Sequence, residues 1–114
     1  MVTIYHNPRC SKSRECLALL ETRNIPFATI KYLDTPLSKE EIKELLKILK
    51  IKPLELVRQK EQVWVEKYKG RPLTGAQIIT ALSKHPELIE RPIVTNGYNG
   101  VIARPADKID EILL

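Results

Sequence analysis

Long apolar runs are missing from this 114-residue chain; none approaches the ~18–20 residues that cross a bilayer as a helix. The opening Met-Val-Thr-Ile-Tyr-His-Asn-Pro lacks the basic, apolar and small-residue zones of a secretory signal. Neither membrane insertion nor secretion is expected, and the cytoplasm is the expected compartment. Cysteine is scarce: Cys10 and Cys16 are too few for a disulfide scaffold, and a chain of this size buries a core without one. They read as cytosolic thiols. Aromatic residues make up only 5%, and no block of Lys and Arg or RNA-binding motif occurs, so nucleic acid is not an expected partner. Internal repeats, low-complexity stretches and a linker to a second domain are absent as well.

What remains is the composition of a globular protein, 43% hydrophobic and 29% charged, too apolar for intrinsic disorder and of a length that suits one domain. Nineteen Lys and Arg stand against 14 Asp and Glu, a net charge of +5 that would favour nucleic acid, an acidic protein surface or a small anion alike. Lys39-Glu40-Glu41-Ile42-Lys43-Glu44 alternates the two signs, so much of the excess reads as a solvated helix face.

Val2 to Tyr5 alternates and carries β-formers, and it stops at Asn7-Pro8, which predicts a first strand. A helix is expected from about Lys12 to Arg23, then a second strand from Phe27 to Tyr32. The order β-α-β implies a parallel pair. Ser38 with Glu41, flanked by Leu37 and Ile42, has the spacing of a capping box with a hydrophobic staple, and predicts a helix running to about Leu49. Thr74 with Gln77, flanked by Leu73 and Ile78, repeats it for a helix ending before Pro86. Between them, Ile51 to Gly70 reads as a short helix and a loop. Ile93-Val94-Thr95, the turn-rich Asn96-Gly97-Tyr98-Asn99-Gly100 and Val101-Ile102-Ala103 predict a hairpin. Pro105 suits the first turn of a final helix with Ile109, Ile112 and Leu113 on one face. The order β-α-β, helices, β-β-α is that of an α/β, thioredoxin-like mixed sheet, a single domain over residues 1–114 with a helical insert at about 36–86.

Chemistry concentrates at Cys10. It follows a strand and precedes a helix, where free N–H groups and the positive end of the helix dipole favour a thiolate. Lys12, Arg14 and His6 are close in sequence, and cations or donors near the sulfur would lower its pKa further. Free cysteine is ordinarily buried and inert, and the strand-to-helix junction is what sets Cys10 apart from that rule. Ser13 stands where a Cys-x-x-Cys motif would hold its second thiol, so no dithiol cycle is available within the motif. Cys16, at ~100° per residue, is turned about 120° from Cys10 and reads as core packing beside Leu17 and Leu20. His6, at a strand end, either packs or tunes the thiol from within its loop. The same helix terminus that favours a thiolate also favours an oxyanion. Arg58, Arg91 and Arg104 stand at element boundaries, the last two before proline. They are either surface ion-pair residues or planar donors for a tetrahedral anion.

Tyr5-His6-Asn7-Pro8-Arg9-Cys10-Ser11-Lys12-Ser13-Arg14, Leu56-Val57-Arg58, Leu88-Ile89-Glu90-Arg91-Pro92-Ile93-Val94 and Ala103-Arg104-Pro105, four ordered motifs spread nearly end to end, resemble the glutaredoxin-linked arsenate reductases of the ArsC type. The resemblance implies a thioredoxin-like fold and a cis peptide at Arg91-Pro92. It implies Cys10 as the nucleophile that attacks the arsenic of arsenate, and Arg58, Arg91 and Arg104 as the oxyanion ligands. His6, Ser13, Arg14 and Pro92 are then supporting residues. It further implies glutathione as co-substrate and glutaredoxin as the resolving partner, with no bound cofactor and no metal. Two alternatives belong to the same resemblance: a redox regulator that binds RNA polymerase, a group typified by a Cys-x-x-Cys switch that Ser13 argues against, and a glutathione-dependent thiol reductase acting on another substrate. Gln59 to Arg71 carries no recognisable motif.

Overall fold

The computed structural model describes residues 1–113. Their chain divides into two units, one built from Met1–Thr35 with Arg91–Leu114 and one from Pro36–Glu90.

The first unit is a four-stranded sheet with one flanking helix. Strands β1 (Val2–Tyr5), β2 (Phe27–Ile30), β3 (Ile93–Thr95) and β4 (Gly100–Ile102) lie in the order β2-β1-β3-β4. β1 and β2 are parallel, with Tyr5 opposite Ile30, and helix α1 (Ser11–Thr22) connects them. β3 runs antiparallel to β1, with Tyr5 opposite Ile93, and β4 antiparallel to β3, with Ile93 opposite Ile102. This is the mixed sheet of a thioredoxin-like fold. Its core joins the sheet residues Ile4 and Val94 to Cys16 and Leu20 of α1, with Ala103 and Ile109 closing it. Those side chains are fully buried, and removing them from water supplies the main stabilising term. In the β3–β4 turn Gly97 has φ +96°, a conformation glycine enters without a steric penalty. Asn96 fastens the turn by accepting hydrogen bonds at Oδ1 from the N–H groups of Tyr98 and Asn99 at 2.9 and 2.8 Å.

The chain after β4 differs from expectation. Ala106–Glu111 is a 3₁₀ segment rather than an α-helix, and Pro105 precedes it as the cap, joined to Arg104 by a cis peptide. The residues expected inside are still placed there: Ile109 is buried, and Ile112 and Leu113 pack against the core. Six residues suffice to reach it, so burial of the apolar face does not require a longer helix.

The second unit is helical. α2 (Lys39–Leu49) starts at Ser38 and α4 (Gly75–Lys84) at Thr74, each with both hydrogen bonds of the expected capping box. Their buried faces, Ile42, Leu45 and Leu46 on α2 and Ile78, Ile79, Ala81 and Leu82 on α4, follow the 3.6-residue period. Between them lie a 3₁₀ turn at Pro53–Leu56 and α3 (Gln62–Lys67). α3 falls where a loop was expected; its cap residue Glu61 makes no side-chain capping bond, and Trp64 anchors it by burial. An antiparallel bridge pairs Val57 with Ile89, and it is closed by Arg58 N–H donating to Leu88 C=O at 2.7 Å and Glu90 N–H to Leu56 C=O at 2.8 Å.

Candidate active site

Strand register assembles the site. Because Tyr5 faces Ile93 in an antiparallel pair, the residues after β1 come beside those before β3; because Ile93 faces Ile102, those after β4 join them. One end of the sheet therefore gathers the His6–Cys10 loop, Arg91-Pro92 and Arg104. The Arg91-Pro92 peptide is cis, as expected. Pro92 C=O accepts from Ala103 N–H at 2.9 Å, and the Arg104 guanidinium reaches Arg91 C=O at 3.4 Å.

The loop is tied to itself at each step. Cys10 N–H donates to Asn7 C=O at 3.0 Å, and Arg9 N–H to Asn7 Oδ1 at 3.0 Å. Arg14 donates from its guanidinium to Pro8 C=O at 2.9 Å. Ser13 is fully buried. Its hydroxyl accepts from Asn7 N–H at 3.0 Å and shares a hydrogen bond with His6 Nδ1 at 2.6 Å. The serine that occupies the second position of a would-be Cys-x-x-Cys motif is thus the peg on which the loop hangs.

Cys10 is the N-cap residue of α1, half-buried, with extended backbone angles (φ −95°, ψ 122°). Burial by itself pushes its thiol up. The Arg91 guanidinium at the sulfur, the N–H groups of Ser13 and Lys12, and the positive charge of Arg91 outweigh that, and the net shift is below the ordinary thiol value. The expected cations act elsewhere: Lys12 pairs with Glu15 at 3.8 Å in solvent, Arg14 holds the loop carbonyl, and His6 holds Ser13. A charge 81 positions away in the chain, that of Arg91, does what nearby charges were expected to do. His6 is itself buried, and desolvation, with Lys31 and Arg14 nearby, depresses its pKa, so the imidazole is neutral near pH 7. Cys16 is fully buried and burial pushes its thiol up to about 11; both cysteines are free.

Arg58 belongs to the second unit. There Nε lies 3.3 Å from Glu61 and Nη1 3.8 Å from Glu90, so two carboxylates balance its charge. Glu61, Glu90 and Asn7 are the contacts that the sequence reading passed over. Asn7 was signalled by its place in the His-Asn-Pro run, and Glu61 by its i,i+3 spacing from Arg58.

Chemically, the first unit presents a thiol whose pKa is lowered by Arg91 and the first-turn N–H groups, two guanidinium groups at the same sheet end, and the free N–H groups of a helix first turn. That combination attracts a small oxyanion and brings it to sulfur.

Comparison with known proteins agrees in extent. The model of the ArsC family matches residues 5–112. The chain is 38% identical to an arsenate reductase of Neisseria meningitidis, over 98% of this chain and 97% of that one. It is 41% identical to one of Haemophilus influenzae, over 98% of each. Among solved structures, an arsenate reductase from Vibrio cholerae superposes with a TM-score of 0.93 at 45% identity, covering 98% of this chain and 97% of the other.

Proposed function

The chain belongs to the ArsC family, and from that premise we propose that it reduces arsenate to arsenite through the Cys10 thiolate. The observation that carries the reading is Arg91 at the Cys10 sulfur with Arg104 held to the Arg91 carbonyl. A thiolate and an arsenate dianion repel one another, and the two guanidinium groups offset that charge as they meet. Cys10 sulfur bonds to arsenic while an oxygen leaves as water. Arg91 and Arg104 hold the remaining oxygens through planar, paired donors.

Reduction needs two electrons, and one thiol cannot supply them. Ser13 is sealed against His6 and Asn7, and Cys16 is buried with a raised pKa, so no second thiol of this chain is at hand. In this proposal the glutathione thiol displaces a second oxygen of the Cys10 adduct as water, and a glutaredoxin thiolate attacks the glutathione sulfur, forming a mixed disulfide as the sulfur–arsenic bond breaks and arsenic keeps the electron pair. Water then replaces the Cys10 sulfur on arsenic(III), releasing arsenite and the free thiol. No bound cofactor enters the scheme, and the reducing cytoplasm is the compartment that suits it. Arg58 as a third oxyanion ligand rests on the family motif alone.

The test is a coupled assay with arsenate, glutathione and glutaredoxin, run beside an RNA polymerase pull-down. Turnover that is abolished in Cys10→Ser and retained in Cys16→Ala supports the reading. Turnover with thioredoxin in place of glutathione and glutaredoxin would overturn the reductant assignment only. Polymerase capture without turnover would overturn the enzyme in favour of a regulator.

A further inference from the structure

The stretch from Gln59 to Arg71, which carries no family motif, lines a cleft of about 200 Å³ in the helical unit. Its apolar lining comes from Leu54, Trp64, Tyr68, Leu73 and Ile78. Trp64 and Ile78 are buried and Leu73 half-buried. The Trp64 and Tyr68 rings stack at 5.3 Å between centroids and 28° between planes, so Tyr68 covers an indole face and is itself the more open of the two rings. At the mouth stand Lys69 and Arg71, both exposed. Gly70 between them has φ +80° with nothing near the position of a Cβ, and that left-handed turn, closed by Arg71 N–H on Tyr68 C=O at 3.1 Å, keeps both cations at the rim.

Charge distinguishes this cleft from a simple packing defect. No carboxylate lines it, and Gln59 is the other polar side chain on its rim. Neither Lys69 nor Arg71 makes an ion pair among the described residues, although acidic residues are plentiful elsewhere in the unit. Ligand sites characteristically combine apolar and aromatic walls with a few placed polar groups. A planar guanidinium and an ammonium beside such walls fit a carboxylate on an apolar body.

We propose that the cleft binds a small carboxylate with a flat or branched apolar body. The volume excludes a folded peptide and suits a single ring or short branched chain, which would lie against Tyr68 and Leu73, next to the buried Trp64, with its carboxylate at Arg71 and Lys69. The site is independent of the Cys10 chemistry and does not rest on it.

Trp64 is the sole tryptophan, so its fluorescence reports occupancy directly. The probe is 3-phenylpropionate, titrated against the intact protein, with 3-phenylpropionamide and inorganic phosphate as the uncharged and the purely anionic controls. The expected result is saturable change with the carboxylate, at least tenfold weaker binding of the amide, no saturation with phosphate, and at least tenfold weaker carboxylate binding in K69Q/R71Q. Both substituted side chains are exposed, so the variant should keep its fold, which circular dichroism checks. Absence of saturation, equal affinity for acid and amide, or unchanged affinity in the double variant would overturn the proposal.

Discussion

Burial raises both thiols of α1, yet it prevails only at Cys16, which has no exposed surface and is pushed up to about 11. At Cys10 the Arg91 guanidinium and the first-turn N–H groups reverse the sign. The helix terminus was legible from the strand-to-helix junction, whereas the partner cation was not, because it comes from the far side of an antiparallel register. Arg91→Ala should therefore move the thiolate midpoint, followed by ultraviolet absorbance with Cys10→Ser as blank, upward from a value below that of free cysteine at ~8.5. An unchanged midpoint would leave only the helix terminus as the cause. The native pKa of His6 is lowered as well, so its linkage to stability has the same sign. Its native pKa is depressed by burial, Lys31 and Arg14, so below about pH 6.5, the ordinary histidine value, the unfolded chain takes up a proton that the native chain resists. Stability falls as pH drops through that value towards the lowered native one, and levels off beneath it. Denaturant unfolding at pH 7 and pH 5 should show this slope in the native protein and a smaller one in His6→Gln. The role of Ser13 was hidden, since a seven-residue contact made by a loop leaves no periodic trace in sequence.

Helix starts governed by local chemistry were readable. Both capping boxes needed only residues three apart, and Ser38 with Glu41 and Thr74 with Gln77 form all four bonds. Ser38→Ala and Thr74→Ala should each lower unfolding free energy by about 0.5–2 kcal/mol, read from denaturant midpoints, with the Cys10 thiolate titration unmoved. A loss near zero would mean that the buried faces of α2 and α4 set these ends without help. α3 and the segment after β4 were misjudged for a shared reason. Each is held by tertiary burial, of Trp64 in one and Ile109 in the other, and neither has a side-chain cap to announce it. The stretch read as a loop consequently held a short helix, and the stretch read as an α-helix wound more tightly.

Across the molecule, the two thiols cannot meet without opening the first unit, since one caps α1 and the other lies in the core under it. Mild oxidation with glutathione present should yield a glutathione-capped Cys10, and without it a sulfenic acid, in preference to an internal disulfide. Mass spectrometry of the digest separates these, and a Cys10–Cys16 linked peptide short by two hydrogens would reopen the redox-switch reading. The first unit is also discontinuous, drawn from Met1–Thr35 and Arg91–Leu114, while Pro36–Glu90 is contiguous. On a ribosome adding ~5–20 residues per second, Arg91 follows Cys10 by roughly 4–16 s. During that interval β1 has β2 but not β3, and the sulfur has its helix but not its guanidinium. A chain broken off before residue 91 carries a thiol lacking the charge that would arm it. Reactivity is thereby tied to synthesis past residue 91, because the residue that activates Cys10 is made 81 positions after it.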